Sequence, residues 1–562
     1  MRILPLIAAL CISATTCAGA MSVTALNKDA GEGGGYGDYL SARFAASHND
    51  LGEAAKYFIA SLEQDPDNSQ LLTYSFFYSA SAGDVDQAAQ LAGRLVASVP
   101  DDRAARLTLA VAALKARDYK SARAHINKSA KGPFTAFTVS LIDAWAAAGQ
   151  GDASAAAADL KTMHSQQGAD ALAYFNEAML AELLGDKATA DTDYNKSLSS
   201  GGSTPRVVDA YGRFLERNGR ADDARALYQK LTDESGFAVI TGPGLLRISK
   251  GIVPPPLVAS ATDGAAEALF GIAASLNDDT SRDISILYLR LALYLEPKLD
   301  LATILLASRF EAIEKFEEAI DLYGGIDADS PYRKYAAVQT AVDLARLDKM
   351  DEAIAGLKTL SEQYPSDIET WTALGDGYRA TKKYTEAANA YTKAIQASGP
   401  ATKKIWPLYY ARGVAEHLSN DWPSAEADFK LALTLSPDEP SVLNYLGYSW
   451  VDQRRNIKEA LAMLEKARSL APQDGYIIDS VGWAYYHLGR YGDAAKALED
   501  AVQLVPGDPT INDHLGDAYW KVGRKLDAQF QWNHALAFGA EEPDKAKIEK
   551  KIKSGLPRDD RS

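Results

Sequence analysis

The sequence predicts an all-α solenoid of about 14 stacked helix pairs, because a period of 34 residues runs through most of the chain. A small residue recurs at the same place in every unit, as Ala54, Ala88, Ala122, Ala156, Ala190, Ala224, Ser285, Ala319, Ala353, Ala387, Ala425, Ala460, Ala494 and Ala528. Prolines that end a helix follow twelve residues after many of these positions, as Pro66, Pro100, Pro297, Pro331, Pro365, Pro437, Pro472 and Pro506. Because the small residues and the prolines recur with the same period and a fixed offset, the sequence indicates a repeat protein.

The unit at residues 368–400 shows why each repeat should be a helix pair. Trp371, Leu374 and Tyr378 follow the i, i+3, i+7 spacing of one helical face, and a second such face runs from Tyr384 to Ala394. Small residues on both faces allow the two backbones to approach closely. A single pair cannot bury its apolar surface alone, so neighbouring pairs are expected to stack.

The first 35 residues are expected to contain an export signal and a tether. Residues 1–20 combine a positive end at Arg2, a short apolar stretch and a small-residue cleavage site before Met21, which is typical of a signal peptide. We therefore expect the protein in the periplasm. Lipidation of Cys17 is the alternative, and it would make the protein an outer-membrane lipoprotein. Residues 21–35 are polar and glycine-rich and are expected to form a flexible tether.

A connector interrupts the period once. An N-terminal array is expected over residues 36–236 and a C-terminal array over residues 265–540. The intervening residues 237–264 contain Gly242-Pro243-Gly244 and three consecutive prolines from Pro254, so neither half is expected to be uninterrupted helix. We interpret this segment as a stiff elbow between the arrays. A loop that reaches into the groove or toward a partner is the alternative.

Residues 541–562 are expected to form a capping helix and a tail. Apolar residues recur every four positions there, as Ile548, Ile552 and Leu556. Lysines occupy the other side, as Lys545, Lys547, Lys550, Lys551 and Lys553. We interpret this basic run as a solvated cap, with a site for an acidic partner as the alternative.

Composition and motifs disfavour several classes of function. The chain has 59 basic and 75 acidic residues, a formal charge of −16, so nucleic acid is not an expected partner. Its two cysteines are Cys11 and Cys17, so the body of the protein has no cysteine for a metal site. The histidines form no HExxH motif, and the sequence has no GxGxxG, Walker or GxSxG motif. We expect no catalytic residues, no metal and no cofactor.

The pattern of the 368–400 unit resembles the tetratricopeptide repeat (TPR), with Gly375 and Ala387 at its two small positions. This resemblance implies a right-handed superhelix whose first helices line a concave groove. In the family, positions 2, 5, 9, 12 and 13 of each unit face that groove. In the C-terminal units the candidates at these positions are Tyr410, His417, Asn444, Tyr448, Asp479, Trp483, Tyr486, His487, Asp513, Asp517 and Trp520.

These candidates suggest a site for an extended peptide. Large rings on a concave wall are typical anchors, and Asn444, Asp479 and Asp513 repeat at position 5 as a polar ladder that could bond a peptide backbone. The alternative is that the rings pack between repeats and the polar residues face solvent. We therefore expect a protein or peptide partner.

The last repeats narrow the expected function. The segments beginning at Leu443, Asp479 and His514 resemble the C-terminal repeats of many-repeat TPR lipoproteins of Gram-negative bacteria. In that group one role is as an outer-membrane adaptor for a carboxyl-terminal processing protease. The resemblance implies a non-enzymatic scaffold or adaptor of the cell envelope. An accessory factor in envelope assembly or polysaccharide export is the alternative, and an enzyme is the disfavoured one.

Overall fold

A computed structural model describes residues 35–165, 168–201, 204–235 and 238–556. In these ranges the chain forms 30 α-helices and three short 3₁₀ segments, with no β-strand. No helix there is both long enough and apolar enough to cross a membrane. The expected signal peptide, Cys17 and residues 21–34 of the expected tether lie outside the described residues.

The chain forms two compact units, which divide between Ala353 and Ile354. The helices that begin in unit 1 are α1 (Gly35–Ser47), α2 (Leu51–Gln64), α3 (Ser69–Ala82), α4 (Val85–Ser98), α5 (Arg103–Lys115), α6 (Tyr119–Ile126), α7 (Pro133–Gly149), α8 (Ala153–Lys161), α9 (Asp170–Leu183), α10 (Lys187–Ser199), α11 (Pro205–Arg217), α12 (Ala221–Ser235), α13 (Ala238–Lys250), α14 (Ala261–Ser275), α15 (Arg282–Leu295), α16 (Asp300–Glu311), α17 (Phe316–Gly324), α18 (Arg333–Arg346) and α19 (Met350–Gln363). Those of unit 2 are α20 (Ile368–Ala380), α21 (Tyr384–Ser398), α22 (Trp406–Leu418), α23 (Trp422–Leu435), α24 (Pro440–Asp452), α25 (Ile457–Leu470), α26 (Gly475–His487), α27 (Tyr491–Leu504), α28 (Pro509–Lys521), α29 (Lys525–Ala537) and α30 (Asp544–Ser554).

The predicted repeat register is confirmed. Every residue of the predicted small-residue series is at most 2% exposed, and each lies in the second helix of a pair. The pairs are close: a Cβ atom added at Gly482 of α26 would lie 2.6 Å from the Leu498 side chain of α27. Glycine at this position is therefore what allows the two helices to pack. Apart from α13 and α30, the helices fall into the predicted 14 pairs, which we divide into first helices and second helices.

Aspartates start many of the second helices. Asp50, Asp84, Asp118, Asp152 and Asp186 are each 34 residues apart, and each accepts a hydrogen bond from the backbone N–H three residues on. This contact satisfies a donor that the first helical turn leaves without a partner. The starts of the first five second helices therefore follow the same period as the buried small residues.

The connector is partly helical, so the prediction for its first half is wrong. Residues 238–250 form α13 with Pro243 inside it, whereas the segment from Gly251 to Ser260, with its three prolines, is not helical. Packing explains the difference, because Gly244 of α13 lies against the ring of Tyr228, where a Cβ atom would come within 2.4 Å. Contacts with α11 and α12 outweigh the local preference of a Gly-Pro-Gly sequence.

The expected elbow is also not where the compact units divide, because α14 and α15 pack back within unit 1. Helix α14 contacts the first helices α7 and α9, and α15 contacts α3 and α5. The Thr138 and Tyr288 hydroxyls lie 2.9 Å apart, and Gly264 lies so close to Trp145 that a Cβ atom would be 2.3 Å from its ring. The inner face of the N-terminal array is therefore covered by the chain's own α14–α15 pair, rather than by a connector loop.

Candidate functional site

The first helices of unit 2 are α20, α22, α24, α26 and α28, and we call the side of the unit that they form the unit 2 face. Helix α24 contacts α26, and α26 contacts α28, in addition to the contacts each makes with its own second helix. Direct contact between alternate helices places α24, α26 and α28 on the inner side of their stack, as in a TPR groove. The sequence-predicted residues lie on these helices, and the structure divides them into four groups.

The first group is an aromatic stack on α26. The Trp483 ring is stacked on Tyr486, with centroids 4.8 Å apart and planes 7° apart, and on His514 of α28, at 3.8 Å and 11°. His487 meets the Trp483 ring edge-on at 4.8 Å. Trp483, Tyr486 and His487 are all partly exposed. This stack presents a rigid aromatic surface on the unit 2 face.

The pKa values of the two histidines in this stack, His487 and His514, are shifted in opposite directions. Burial and the nearby Arg454 and His514 lower the pKa of His487 to about 4, so it is neutral near pH 7. Burial also acts to lower the pKa of His514, but Asp479, which accepts from His514 Nδ1 at 2.9 Å, and further carboxylates raise it overall. Trp483 therefore stacks on the histidine of the pair whose pKa is raised, and on its edge it meets the one whose pKa is lowered.

The second group is covered by α30. Lys551 donates to Asp513 at 2.8 Å and to Asp517 at 2.9 Å, and Gly555 lies against the Trp520 ring. Asp517 also accepts from Trp532 Nε1 at 2.9 Å, so it ties α28 to its own second helix. Asp513, Asp517 and Trp520 are thus engaged by the chain itself, and the interpretation of Lys551 as part of a solvated face is wrong. The acidic residues that it meets belong to this chain.

The third group packs between repeats. Tyr410 lies 6.0 Å from both Phe429 and Tyr445, measured between ring centroids. His417 Nδ1 lies 3.2 Å from the Tyr445 hydroxyl, and burial lowers the pKa of His417. Tyr410 and His417 therefore fill the space between neighbouring helix pairs, which is the alternative that the sequence left open for these rings.

The fourth group consists of Asp479 and Asn444 of the polar ladder and of the neighbouring Tyr448. Asp479 is hydrogen-bonded to His514, and Asp513 is hydrogen-bonded to Lys551. Neither carboxylate is therefore free to bond a peptide backbone, as the ladder hypothesis requires. Asn444 differs, because its Oδ1 atom is buried and has no hydrogen-bond partner. One turn along α24 lies Tyr448, whose pKa is raised by burial and by nearby carboxylates that include Asp479. Asn444, Tyr448 and the Trp483 stack are the candidates that remain for a ligand.

Sequence reasoning missed two residues that shape this site, His514 and Lys551. His514 lies at position 6, outside the family's groove positions, and the signal that could have found it is Asp479, 35 residues earlier at a neighbouring position of the preceding unit. Lys551 lies between Ile548 and Ile552, so it is on the edge of the apolar face of α30 rather than opposite it. Among the described residues, no group of three or more His, Cys, Asp or Glu side chains is arranged to hold a metal ion.

Comparison with known proteins identifies the class of repeat. Family models described as tetratricopeptide repeats match residues 79–131, 372–440 and 451–509. Together with the helix pairs and their confirmed register, these matches show that the chain contains tetratricopeptide repeats in an all-α fold. TPR proteins generally act as scaffolds that bind protein or peptide partners.

Individual relatives are similar over part of their length. The chain is 28% identical over 179 residues to the TPR repeat-containing protein PA4667 of Pseudomonas aeruginosa, which is 32% of this chain and 30% of that protein. It is 22% identical over 182 residues to anaphase-promoting complex subunit 6 of Arabidopsis thaliana, 32% of this chain and 33% of that one. The chain thus spans about a third of the length of these curated relatives. Among solved structures, a chain of the APC/C hetero-tetramer Cut9–Hcn1 is 14% identical, with a TM-score of 0.39 over 92% of this chain and 96% of that one.

Proposed function

We propose that the protein is a non-enzymatic scaffold or adaptor that binds an extended segment of a partner protein along the unit 2 face. The observation that carries this proposal is the Trp483–Tyr486 stack, which leaves two partly exposed rings on the face that lines the groove of a TPR array. Stacked rings supply a large contact area at low entropic cost, as anchors of an interface require.

The corresponding face of unit 1 does not support the same role. Helices α14 and α15 contact α3, α5, α7 and α9, so they occupy the face where an extended partner would lie. A partner there would first have to displace contacts such as the one between Gly264 and Trp145. We therefore assign partner binding to unit 2 and a supporting role to the inner face of unit 1.

We further propose that the protein acts in the bacterial cell envelope after export, with a periplasmic protease as the partner. The apolar stretch of residues 1–20 and its small-residue cleavage site support export, and the resemblance of the last repeats to TPR adaptor lipoproteins supports the protease. Lipidation of Cys17 would add an anchor to the outer membrane. An accessory role in envelope assembly or polysaccharide export is the second candidate, because stacked rings such as Trp483 and Tyr486 can also contact sugars.

A photo-crosslinking residue tests the site directly. It is introduced at position 486 and, as the control, at position 364, where an exposed tyrosine lies in the same unit but off the unit 2 face. We expect a discrete protein crosslink in intact cells from position 486 and none from position 364. Equal crosslinking from both positions, or crosslinking only from position 364, would place the partner elsewhere.

Reconstitution then distinguishes an adaptor from an enzyme. The purified protein is added to the protease that crosslinks to it, together with that protease's substrate. An adaptor accelerates cleavage when the protease is active and has no effect with a protease whose nucleophile is removed. Substrate turnover by the protein alone would show that the adaptor proposal is wrong, and retention of an envelope polysaccharide without any protein partner would favour the second candidate.

A further inference from the structure

The outer face of α29 carries an apolar stripe that its position in the repeat does not explain. Leu526, Phe530, His534 and Phe538 follow one another at intervals of four residues, so they lie along one side of the helix. Leu526 is 82% exposed, Phe530 60% and Phe538 46%. The Phe530 and His534 rings are 4.2 Å apart, and those of His534 and Phe538 are 5.6 Å apart. We call these four residues the α29 stripe.

The other second helices of unit 2 show what normally occupies these positions. Two residues before the buried alanine, where α29 has Leu526, α27 has Gly492 and α25 has Lys458. Two residues after it, where α29 has Phe530, α27 has Lys496 and α21 has Asn389, all of them exposed. The repeat therefore turns these positions toward solvent and fills them with polar or small residues. In α29 alone of these helices, both positions hold large apolar side chains, which is typical of an interaction surface.

The charges beside the stripe differ at its two ends. Lys525 begins α29, where Arg524 is already paired with Glu499 and Asp527, and the exposed Glu541 and Glu542 follow its C-terminal end. A second copy of α29 in antiparallel orientation would bring each basic end to the acidic end of the other. It would also place Leu526 opposite Phe538 and Phe530 opposite His534. In this orientation Lys525 of each copy lies near Glu541 of the other, so the ends of the stripe are complementary in charge, as a two-fold interface requires.

We infer that the α29 stripe is the interface of a symmetric homodimer in which two copies of α29 pack antiparallel. An anionic bilayer is a poorer occupant, because the stripe ends at two glutamates and the chain has a formal charge of −16. One helix of 13 residues offers less area than a standard interface of about 800 Å² per partner. The dimer is accordingly expected to be weak and to depend on concentration. This surface is distinct from the unit 2 face, so dimerisation leaves the partner site free.

Analytical ultracentrifugation of the full-length protein tests the interface. We expect a monomer–dimer equilibrium with no larger species, and at least a tenfold increase in the dissociation constant for Phe530→Asp. Phe44→Asp is the matched control, because Phe44 is 65% exposed on α1 in unit 1 and should leave the equilibrium unchanged. A protein that stays monomeric at about 100 μM would overturn the proposal. So would an equal effect of Phe44→Asp, since a contact between α1 and α29 would build open chains rather than a closed dimer.

A charge exchange tests the antiparallel orientation. Lys525→Glu and Glu541→Lys should each weaken the dimer, because each places like charges at both ends of the interface. An equimolar mixture of the two variants should restore association, since every end then again has opposite charges. Absence of restoration would exclude this orientation.

A vesicle-binding assay tests the membrane alternative, with vesicles of phosphatidylethanolamine and phosphatidylglycerol. If the protein is monomeric, and binds these vesicles in a way that Phe530→Asp abolishes, then the α29 stripe is a membrane-binding surface instead.

Discussion

The imidazole of His514 lies 3.8 Å from the ring of Trp483, with the two planes 11° apart, and hydrogen-bonds to Asp479 on its edge. One residue thus joins α26 to α28 through ring stacking and a hydrogen bond at the same time. Because Trp483 in turn stacks on Tyr486, the position of the candidate anchor depends on His514. The same side chains therefore hold two neighbouring repeats together and position the candidate binding site.

The first prediction is a loss of stability as the pH rises through the pKa of His514. The folded protein raises the pKa of His514 above 6.5, so its protonated form stabilises the fold fully below that pH and the contribution disappears as the pH rises through the folded pKa. We expect the difference in unfolding free energy between the wild type and His514→Gln to be largest below pH 6.5. Urea unfolding followed by tryptophan fluorescence at a series of pH values measures it. A difference that grows with pH would show that His514 is neutral in the fold.

His487 should show the opposite dependence. Its folded pKa of about 4 lies below 6.5, so its contribution is present above pH 6.5 and is lost as the pH falls toward 4. We expect His487→Asn to remove about 1–3 kcal/mol of the acid-induced destabilisation of the wild type, allowing for the partial exposure of the ring. The same urea series, extended to pH 4, measures this difference. Identical acid profiles for the two proteins would contradict the assignment.

The third prediction concerns the ion pairs of α30. Lys551→Met removes the cation between Asp513 and Asp517 and leaves a buried carboxylate without its partner, so it should cost about 2–4 kcal/mol at neutral pH. Burial and Asp513 raise the pKa of Asp517 to about 6 even beside Lys551, so the cost should shrink at pH 5 as carboxylates become protonated. Lys547→Met is the control, because that exposed pair with Asp544 should contribute within about 0.5 kcal/mol. Equal effects of the two substitutions would mean that α30 does not rest on Asp513 and Asp517.

Two glycines of α14 test how this helix packs in unit 1. A Cβ atom at Gly264 would come within 2.3 Å of the Trp145 ring, whereas at Gly271 it would make an ordinary 3.4 Å contact with Leu172. Gly264→Ala should therefore destabilise unit 1 by roughly 1–3 kcal/mol, and Gly271→Ala should be neutral or stabilise it by up to about 1 kcal/mol. Hydrogen exchange should accelerate in α14 and α7 for Gly264→Ala alone. Similar exchange in both variants would indicate that α14 does not lie against α7.

Local features of the sequence were sufficient to predict the helix pairs. They were insufficient to predict contacts between repeat units that are distant in the sequence. The alanine series predicted every helix pair because each small residue acts within its own pair, as at Ala494 and Gly482. The contact between Thr138 and Tyr288 joins residues 150 positions apart, and nothing in a 34-residue period encodes it. The packing of α14 and α15 on the first array could not be predicted for this reason.

The candidate site was predictable only in part for a related reason. The family's positions point to Trp483 and Tyr486, and both lie on α26 with their rings partly exposed. They could not show that Asp513 is engaged, because its partner Lys551 belongs to a helix outside the repeat pattern. They also could not separate Tyr410, which packs between pairs, from an exposed ring at the same position.

The last prediction tests the site itself. Tyr486 touches the rings of Trp483 and Tyr491 but is not part of the buried core, so Tyr486→Ala should change the unfolding free energy by less than about 1 kcal/mol. If the ring anchors a partner, the same substitution should weaken binding of the crosslinked partner by about 1–4 kcal/mol, or roughly tenfold to a thousandfold. Titration calorimetry with the purified partner measures the affinity.

Tyr364→Ala removes another exposed ring of the same unit and should leave the affinity unchanged. Unchanged binding by Tyr486→Ala, or equal losses in the two variants, would move the partner away from the unit 2 face.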